Sequence, residues 1–305
     1  MTIDQAIDRS TFIGGSEIAA IMGLSRWETP LSIWAQKTGK ITKDLSDNEA
    51  VEMGIALEGF VADLFAKRTG KEVKVDDTHF THPDYEFMAA HIDRRVVPNE
   101  ILEVKTCSAY KAHEWDGEEV PEEYHLQLNY YLGIVGDKVG HLAVLIGGQK
   151  FVYKQIDFSQ ELFDRQVEVA KMFWEEYVGP DVAPMAISTD KDTLIELYPE
   201  SRPDELRKIE EPDLESQVNQ LAIDRLEGKN QIKEIIGEVD LAENTLRQLI
   251  GDDEGIETGQ YKITWKTQNK TSVDTQAMKD DGIYDKYKRV GTTRVLRVAE
   301  KKSQK

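Results

Sequence analysis

Residues 87–97 and 101–106 both read as β-strands, and only a Pro98-Asn99 turn separates them. Strands joined so closely fold back on each other, so a hairpin here is the element that every other part of the fold must accommodate. Pairing about the turn sets residues whose numbers sum to about 197 across from one another. Asp93 then faces Glu103 or Val104. Side chains alternate along a strand, so Glu103 and Lys105 share one face and Val104 takes the other. Two carboxylates and an ammonium group thus converge without any long-range assumption.

The surrounding patterns alternate between helix and strand. Residues 16–22 read as a short helix after a Gly14-Gly15 turn, and 48–68 as a longer helix stopped by Gly70. Residues 122–134 are expected to be helical up to Gly136. Residues 141–146 and 150–156 form a second hairpin signal around Gly147-Gly148-Gln149. Residues 160–177 have the period of a closing amphipathic helix. The sum is an α/β (α+β) core, a mixed central sheet flanked by helices, over residues 1–180. Pro180, Pro184, Pro199, Pro203 and Pro212 mark residues 181–212 as a linker with room for one short helix. From Leu214 to Leu249 apolar residues recur at alternating three- and four-residue steps, a coiled-coil seam interrupted at Arg225 and Gly228. It is either one long helix or a hairpin broken near Gly228. Residues 260–267 and 293–298 then read as strands and 275–288 as helix, so 213–305 is expected to be a coiled-coil helix plus a small basic α/β tail.

Charge is unevenly spread. The net charge is -19, which by itself argues against a nucleic-acid partner. Residues 259–305, however, carry 12 Lys/Arg against 5 Asp/Glu, a net of +7, and the remainder is -26. Clustered carboxylates that await a cation also make a metal enzyme look more acidic than its working form. A single cysteine, Cys107, rules out an internal disulfide and a cysteine zinc site. No run of about 18 apolar residues is present, so no membrane contact is expected. Met1-Thr2-Ile3-Asp4 does not open a signal peptide, and a reducing cytoplasm is the expected location.

The hairpin trio suits phosphodiester hydrolysis. Mg²⁺ prefers oxygen ligands and keeps several waters, so Asp93, Glu103 and a nearby backbone carbonyl, that of Val104, can hold it. Lys105 can orient water or offset transition-state charge. Two ions, Mg²⁺ or Mn²⁺ in its place, are expected. The competing reading is a surface hairpin with solvated charges, since the pattern is short. Glu58 lies on a helix among Ile55, Leu57, Phe60 and Val61, and Gln127 and Tyr131 share a helix face four residues apart. Each has an ordinary packing or surface reading too. Gly14-Gly15-Ser16 opens a helix between Arg9 and Arg26, an arrangement that favours an anion but also fits a plain capped helix. Trp27 and Trp34 are expected in the core. His91, His113 and His125 lack the spacing of metal ligands.

Five segments, in order, resemble the YqaJ-like viral recombinase family, phage alkaline exonucleases akin to lambda exonuclease within the PD-(D/E)XK nuclease superfamily. They are Ile13-Gly14-Gly15-Ser16-Glu17-Ile18-Ala19, Met53-Gly54-Ile55-Ala56-Leu57-Glu58, Ala90-His91-Ile92-Asp93, Leu102-Glu103-Val104-Lys105-Thr106 and Gln127-Leu128-Asn129-Tyr130-Tyr131-Leu132. The resemblance implies a restriction-endonuclease-like core with Glu58, Asp93 and Glu103 serving metal, Lys105 serving water, and Gln127 and Tyr131 completing the site. Ile92 stands where the superfamily name has Pro. The resemblance also implies a 5′-phosphate pocket at Arg9, Ser16 and Arg26. Its implied activity is Mg²⁺-dependent 5′→3′ digestion of linear double-stranded DNA, leaving 3′ single strands for a RecT-like single-strand annealing protein. It implies a homo-oligomeric ring as well. The rivals are a structure-specific endonuclease of the same fold and a non-catalytic coiled-coil assembly or DNA-binding protein.

Overall fold

The computed structural model describes residues 8–44, 47–203, 205–291 and 294–299. They fall into two compact units, Met1–Tyr198 and Pro199–Lys305. In chain order the first unit contains α1 (Gly15–Ile21), α2 (Pro30–Lys37), α3 (Glu49–Thr69), β1 (Val73–Lys74), β2 (Phe80–Thr81), β3 (Ala89–Ala90), β4 (Arg94–Val96), β5 (Glu100–Cys107), α4 (Glu122–Val135), β6 (Val139–Ile146), β7 (Lys150–Asp157), α5 (Gln160–Phe173) and α6 (Lys191–Leu197). A five-stranded sheet runs in the order β1-β4-β5-β6-β7. Its only parallel pair is β5 with β6; β1/β4, β4/β5 and β6/β7 are antiparallel. A parallel pair needs a crossover, and α4 provides it.

Local chemistry explains the elements. The Asn48 side chain accepts from the Ala50 and Val51 N–H groups at the start of α3, and Gly70 ends it in the left-handed conformation at φ 71°. Gly136 closes α4 in the same way. Alternation along β5 then sorts the core. Leu102 and Val104 join Val61, Ala62 and Phe65 of α3 on one face. Ile101 joins Leu128 and Leu132 of α4, with Ile13 and Ile18 of the α1 segment, on the other. A buried polar network ties α5 to α4: Gln166 donates to the Leu126 carbonyl, and Asn129 bonds both Gln166 and the Ser159 backbone.

Four expectations need correction. The strand expected over 87–97 is broken. β3 pairs with β2 in a separate two-stranded sheet, and β4 starts only at Arg94. The break falls at residues 91–93, where the Asp93 side chain takes the Val104 N–H that a longer β4 would have paired. The linker expected over 181–212 has its one short helix, α6, but starts later, because α6 packs on α2 and the fully buried Asp190 side chain bonds Thr29 and the Ile187 N–H. Trp27 is 65% exposed with the Lys111 ammonium 4.4 Å from its ring, whereas Trp34 is buried and donates to the Tyr177 carbonyl. The closing helix changes to a π-helical turn at Trp174–Val178.

In the second unit the seam lies on one continuous helix, α7 (Pro212–Ile250), which passes straight through Gly228. After it come β8 (Gly255–Glu257), paired with β9 (Lys262–Thr264), and α8 (Thr275–Asp280) and α9 (Tyr284–Tyr287), divided at Gly282. Tyr261 and Trp265, which flank β9, are exposed. Thr293, where the last expected strand begins, lies outside the described residues, as do Met1–Asp4; residues 294–299 form no regular element. No helix among the described residues is long and apolar enough to cross a membrane.

Candidate active site

The site forms where β4 ends and β5 continues. Pairing of Arg94 with Leu102, Arg95 with Ile101 and Val96 with Glu100 leaves β5 without that neighbour beyond Leu102. The Asp93 carboxylate fills the next place on the ladder, accepting the Val104 N–H at 2.7 Å. N–H and C=O of one strand residue point to the same side, so the Val104 carbonyl also emerges at this open edge. Glu103 and Lys105, one pleat apart on the other face, meet directly: Lys105 Nζ is 2.6 Å from Glu103 Oε1.

Helix α4 completes the cluster. Gln127 Nε2 donates to the same Glu103 oxygen at 2.7 Å and lies 3.2 Å from the Tyr131 hydroxyl one turn on. Tyr124 of the same helix sets its ring 5.3 Å from the Lys105 ammonium, an attraction between cation and ring face. A cleft of about 330 Å³ opens over these groups, and its lining includes Arg9, Ser16, Glu58, Asp93, Arg94, Glu103, Lys105, Gln127 and Tyr131. The residues read from the sequence are therefore brought together, except Arg26. That guanidinium is held by Glu114 at 2.7 Å and Glu123 at 2.9 Å and is absent from the lining.

Burial and the adjacent Glu103 charge hold the Asp93 carboxyl well above the usual carboxylate range, against the opposing pull of Lys105 and the Val104 N–H. Burial works against the Lys105 ammonium, but Glu103 and Asp93 more than compensate and raise its pKa. Burial, then the Glu103 charge, pushes the Tyr131 hydroxyl well up, so it remains a protonated donor. Glu103 is 2% exposed, and its Oε2 is buried without a hydrogen-bond partner among the described residues. Such an atom is costly unless something cationic or donating meets it.

A divalent cation fits that requirement. Among the described residues no three His, Cys, Asp or Glu side chains close into a ready cage. Mg²⁺ does not need one, since it is commonly held by one or two carboxylates, waters and substrate phosphate. Asp93, the free Glu103 oxygen and the Val104 carbonyl are the donors at hand. Glu58, which lines the cleft as Asp76 and Asp77 also do, is ion-paired to Arg94. Arg94 was missed in the sequence because nothing local marks it: it follows Asp93, but its partner lies on α3.

At the other end of the cleft, α1 is fixed by a buried pair. Glu17 accepts the Gly14 N–H at 2.8 Å and meets the Lys37 ammonium at 2.7 Å. Arg9 stands 3.8 Å from the same carboxylate. Gly15 packs on the face of Tyr131, where a Cβ would lie 2.4 Å from the ring.

Residues 7–138 match the model of the YqaJ-like viral recombinase domain, a span that contains all the site residues named above from Arg9 to Tyr131. The YqaJ protein of Bacillus subtilis is 36% identical over 93% of this chain and 89% of its own length. Among solved structures, an alkaline exonuclease from Laribacter hongkongensis, also determined with dAMP, superposes with a TM-score of 0.50 at 16% identity. That match covers 57% of this chain and 91% of the other, and it shows a shared fold. On its 36% identity to a relative over 93% of its length, together with the match over residues 7–138, the chain belongs to the YqaJ-like viral recombinase family.

Proposed function

We propose that the protein is a Mg²⁺-dependent exonuclease that digests linear double-stranded DNA from 5′ ends. The observation that carries this reading is the Asp93–Glu103–Lys105 cluster, with one buried Glu103 oxygen unpartnered at the open edge of β5. Family membership and the nuclease fold support it.

Asp93, Glu103, the Val104 carbonyl and Glu58 would hold the metal, one ion or two. When bound, a divalent ion supplies positive charge to the phosphate and acidifies the attacking water. The protein's own groups do the rest. Lys105 orients that water and offsets charge that builds on the phosphate oxygens. Gln127 fixes the Glu103 carboxylate from the α4 side, and Tyr131 fixes Gln127. The water oxygen bonds to phosphorus as the bond to the 3′-oxygen breaks. Each cut therefore leaves a 5′-phosphate on the remaining strand, the group that an end-recognising pocket needs for the next cut. Arg9 and Ser16 are the residues placed to meet it, with Lys37 neutralising Glu17 behind them. Arg26 serves that pocket only by leaving Glu114 and Glu123. The product is a 3′ single strand for a RecT-like annealing protein, and a homo-oligomeric ring around DNA suits sustained digestion.

Incubation with linear and closed circular duplexes, in Mg²⁺ or EDTA, tests the reading. Linear DNA is expected to disappear in Mg²⁺ alone, faster from 5′-phosphorylated than from 5′-hydroxyl ends. Asp93→Asn, Glu103→Gln and Lys105→Ala are expected to be inactive but folded. Removal of a transition-state charge contact costs on the order of 10²–10³ in rate. Rapid cutting of the closed circle points instead to the endonuclease rival, and near wild-type rates in either carboxylate variant remove the assignment.

A further inference from the structure

Glu58, Asp93 and Glu103 crowd one cleft, yet the Lys105 ammonium reaches only one of them, Glu103. Arg94 supplies the missing charge. Its Nη1 donates to Glu58 Oε1 and also to the backbone carbonyl of Asp93, so one nitrogen ties the α3 carboxylate to the end of β4. The pair is mostly shielded from solvent: the Arg94 side chain is 18% exposed and that of Glu58 31%. The Arg94 backbone is locked into β4 opposite Leu102, so its side chain alone is free to move. The guanidinium lies along α3 beside Gly59, 3.9 Å from where a Cβ would stand.

We infer that Arg94 is a stand-in cation: in the metal-free protein its guanidinium holds Glu58 and the end of β4, and it must yield when a divalent ion enters. The inference rests on the metal-dependent reading above. It accounts for the lack of a ready three-residue cage among the described residues, because Glu58 is turned to Arg94 instead. Arginine suits the role better than lysine. Its charge is permanent and it is weakly hydrated, so it costs less to hold in a shielded pair. A released guanidinium at the rim of the cleft is then available to a phosphate oxygen.

The test is calorimetric titration of Mn²⁺ into the full chain stripped of metal, for the wild type, Arg94→Gln, Arg94→Lys and Asp93→Asn, with thermal melts of each. Arg94→Gln is expected to bind Mn²⁺ about tenfold tighter, the worth of one charge-assisted hydrogen bond that no longer has to be broken. Without metal it is expected to melt below the wild type and to recover more on addition of Mn²⁺. Arg94→Lys keeps the charge on a shorter, more strongly hydrated side chain. It is expected to show a smaller gain in affinity, and it carries the comparison if Arg94→Gln does not fold. Unchanged or weaker Mn²⁺ binding in the folded Arg94 variants overturns the stand-in role. A wild type that binds no Mn²⁺, or an Asp93→Asn variant that binds it equally well, overturns the metal-dependent reading itself.

Discussion

Asp93 replaces a rung of backbone ladder through Val104, and in the proposed function it is also a metal ligand. Burial and the Glu103 charge raise its pKa, which has a consequence for pH. The folded, metal-free protein binds the Asp93 proton more tightly than the unfolded chain does, so stability falls as pH rises above about 3.9, the unfolded carboxylate value, until Asp93 has ionised. A divalent ion requires the ionised form and reverses the trend. At limiting Mg²⁺ the cleavage rate is therefore expected to rise with pH, by at most about tenfold per unit for one proton. Saturating Mg²⁺ is expected to shift that rise to lower pH, as initial rates across a pH series will show. A profile indifferent to the metal concentration contradicts this account. At the same scale, Asp93, Glu103 and Lys105 were legible in the sequence because one tight hairpin places them, and Gln127 with Tyr131 because a helix repeats every four residues. The engagement of Arg26 by Glu114 and Glu123 was not, since both partners lie about ninety residues along the chain.

Between elements the decisive contact is that of α1 with α4. Gly15 lies against Tyr131, whose ring is buried. Alanine at a helical glycine ordinarily gains about 1 kcal/mol in propensity. Here the methyl group overlaps the ring, and overpacking of a tight core costs about 1–3 kcal/mol. The clash is expected to win. Gly15→Ala is expected to lower the melting temperature and slow cleavage, although Gly15 has no part in the chemistry; a melt and a rate measurement on one preparation check both. The break between β3 and β4 also belongs to this scale. Apolar alternation through 87–97 gave no warning of it, because a strand whose ladder is continued by a side chain has the same pattern as one continued by backbone. The α3 and α4 boundaries were legible from Asn48, Gly70 and Gly136, residues whose own chemistry starts or stops a helix.

At the scale of the whole chain, the first unit holds the site and a core of its own, while α7 in the second exposes its seam at Val218, Leu221, Ile232, Ile235 and Val239. Heptad spacing revealed that seam, but spacing alone does not tell an internal hairpin from a single helix. Termination after Tyr198 is expected to leave a folded protein that cleaves short duplexes in Mg²⁺. Oligomerisation and sustained digestion are expected to weaken, as measured by light scattering and by product length. A truncated chain with the same mass ratio and processivity as the parent removes the second unit from assembly. The site residues lie between Arg9 and Tyr131, and the unit that holds them ends at Tyr198. Synthesis runs from the N-terminus at about 5–20 residues per second, so α7, which ends at Ile250, is completed roughly 3–10 s after that unit. During that interval the nascent chain already presents a complete cleft, tethered to the ribosome, before the helix that would join it to other copies has been made.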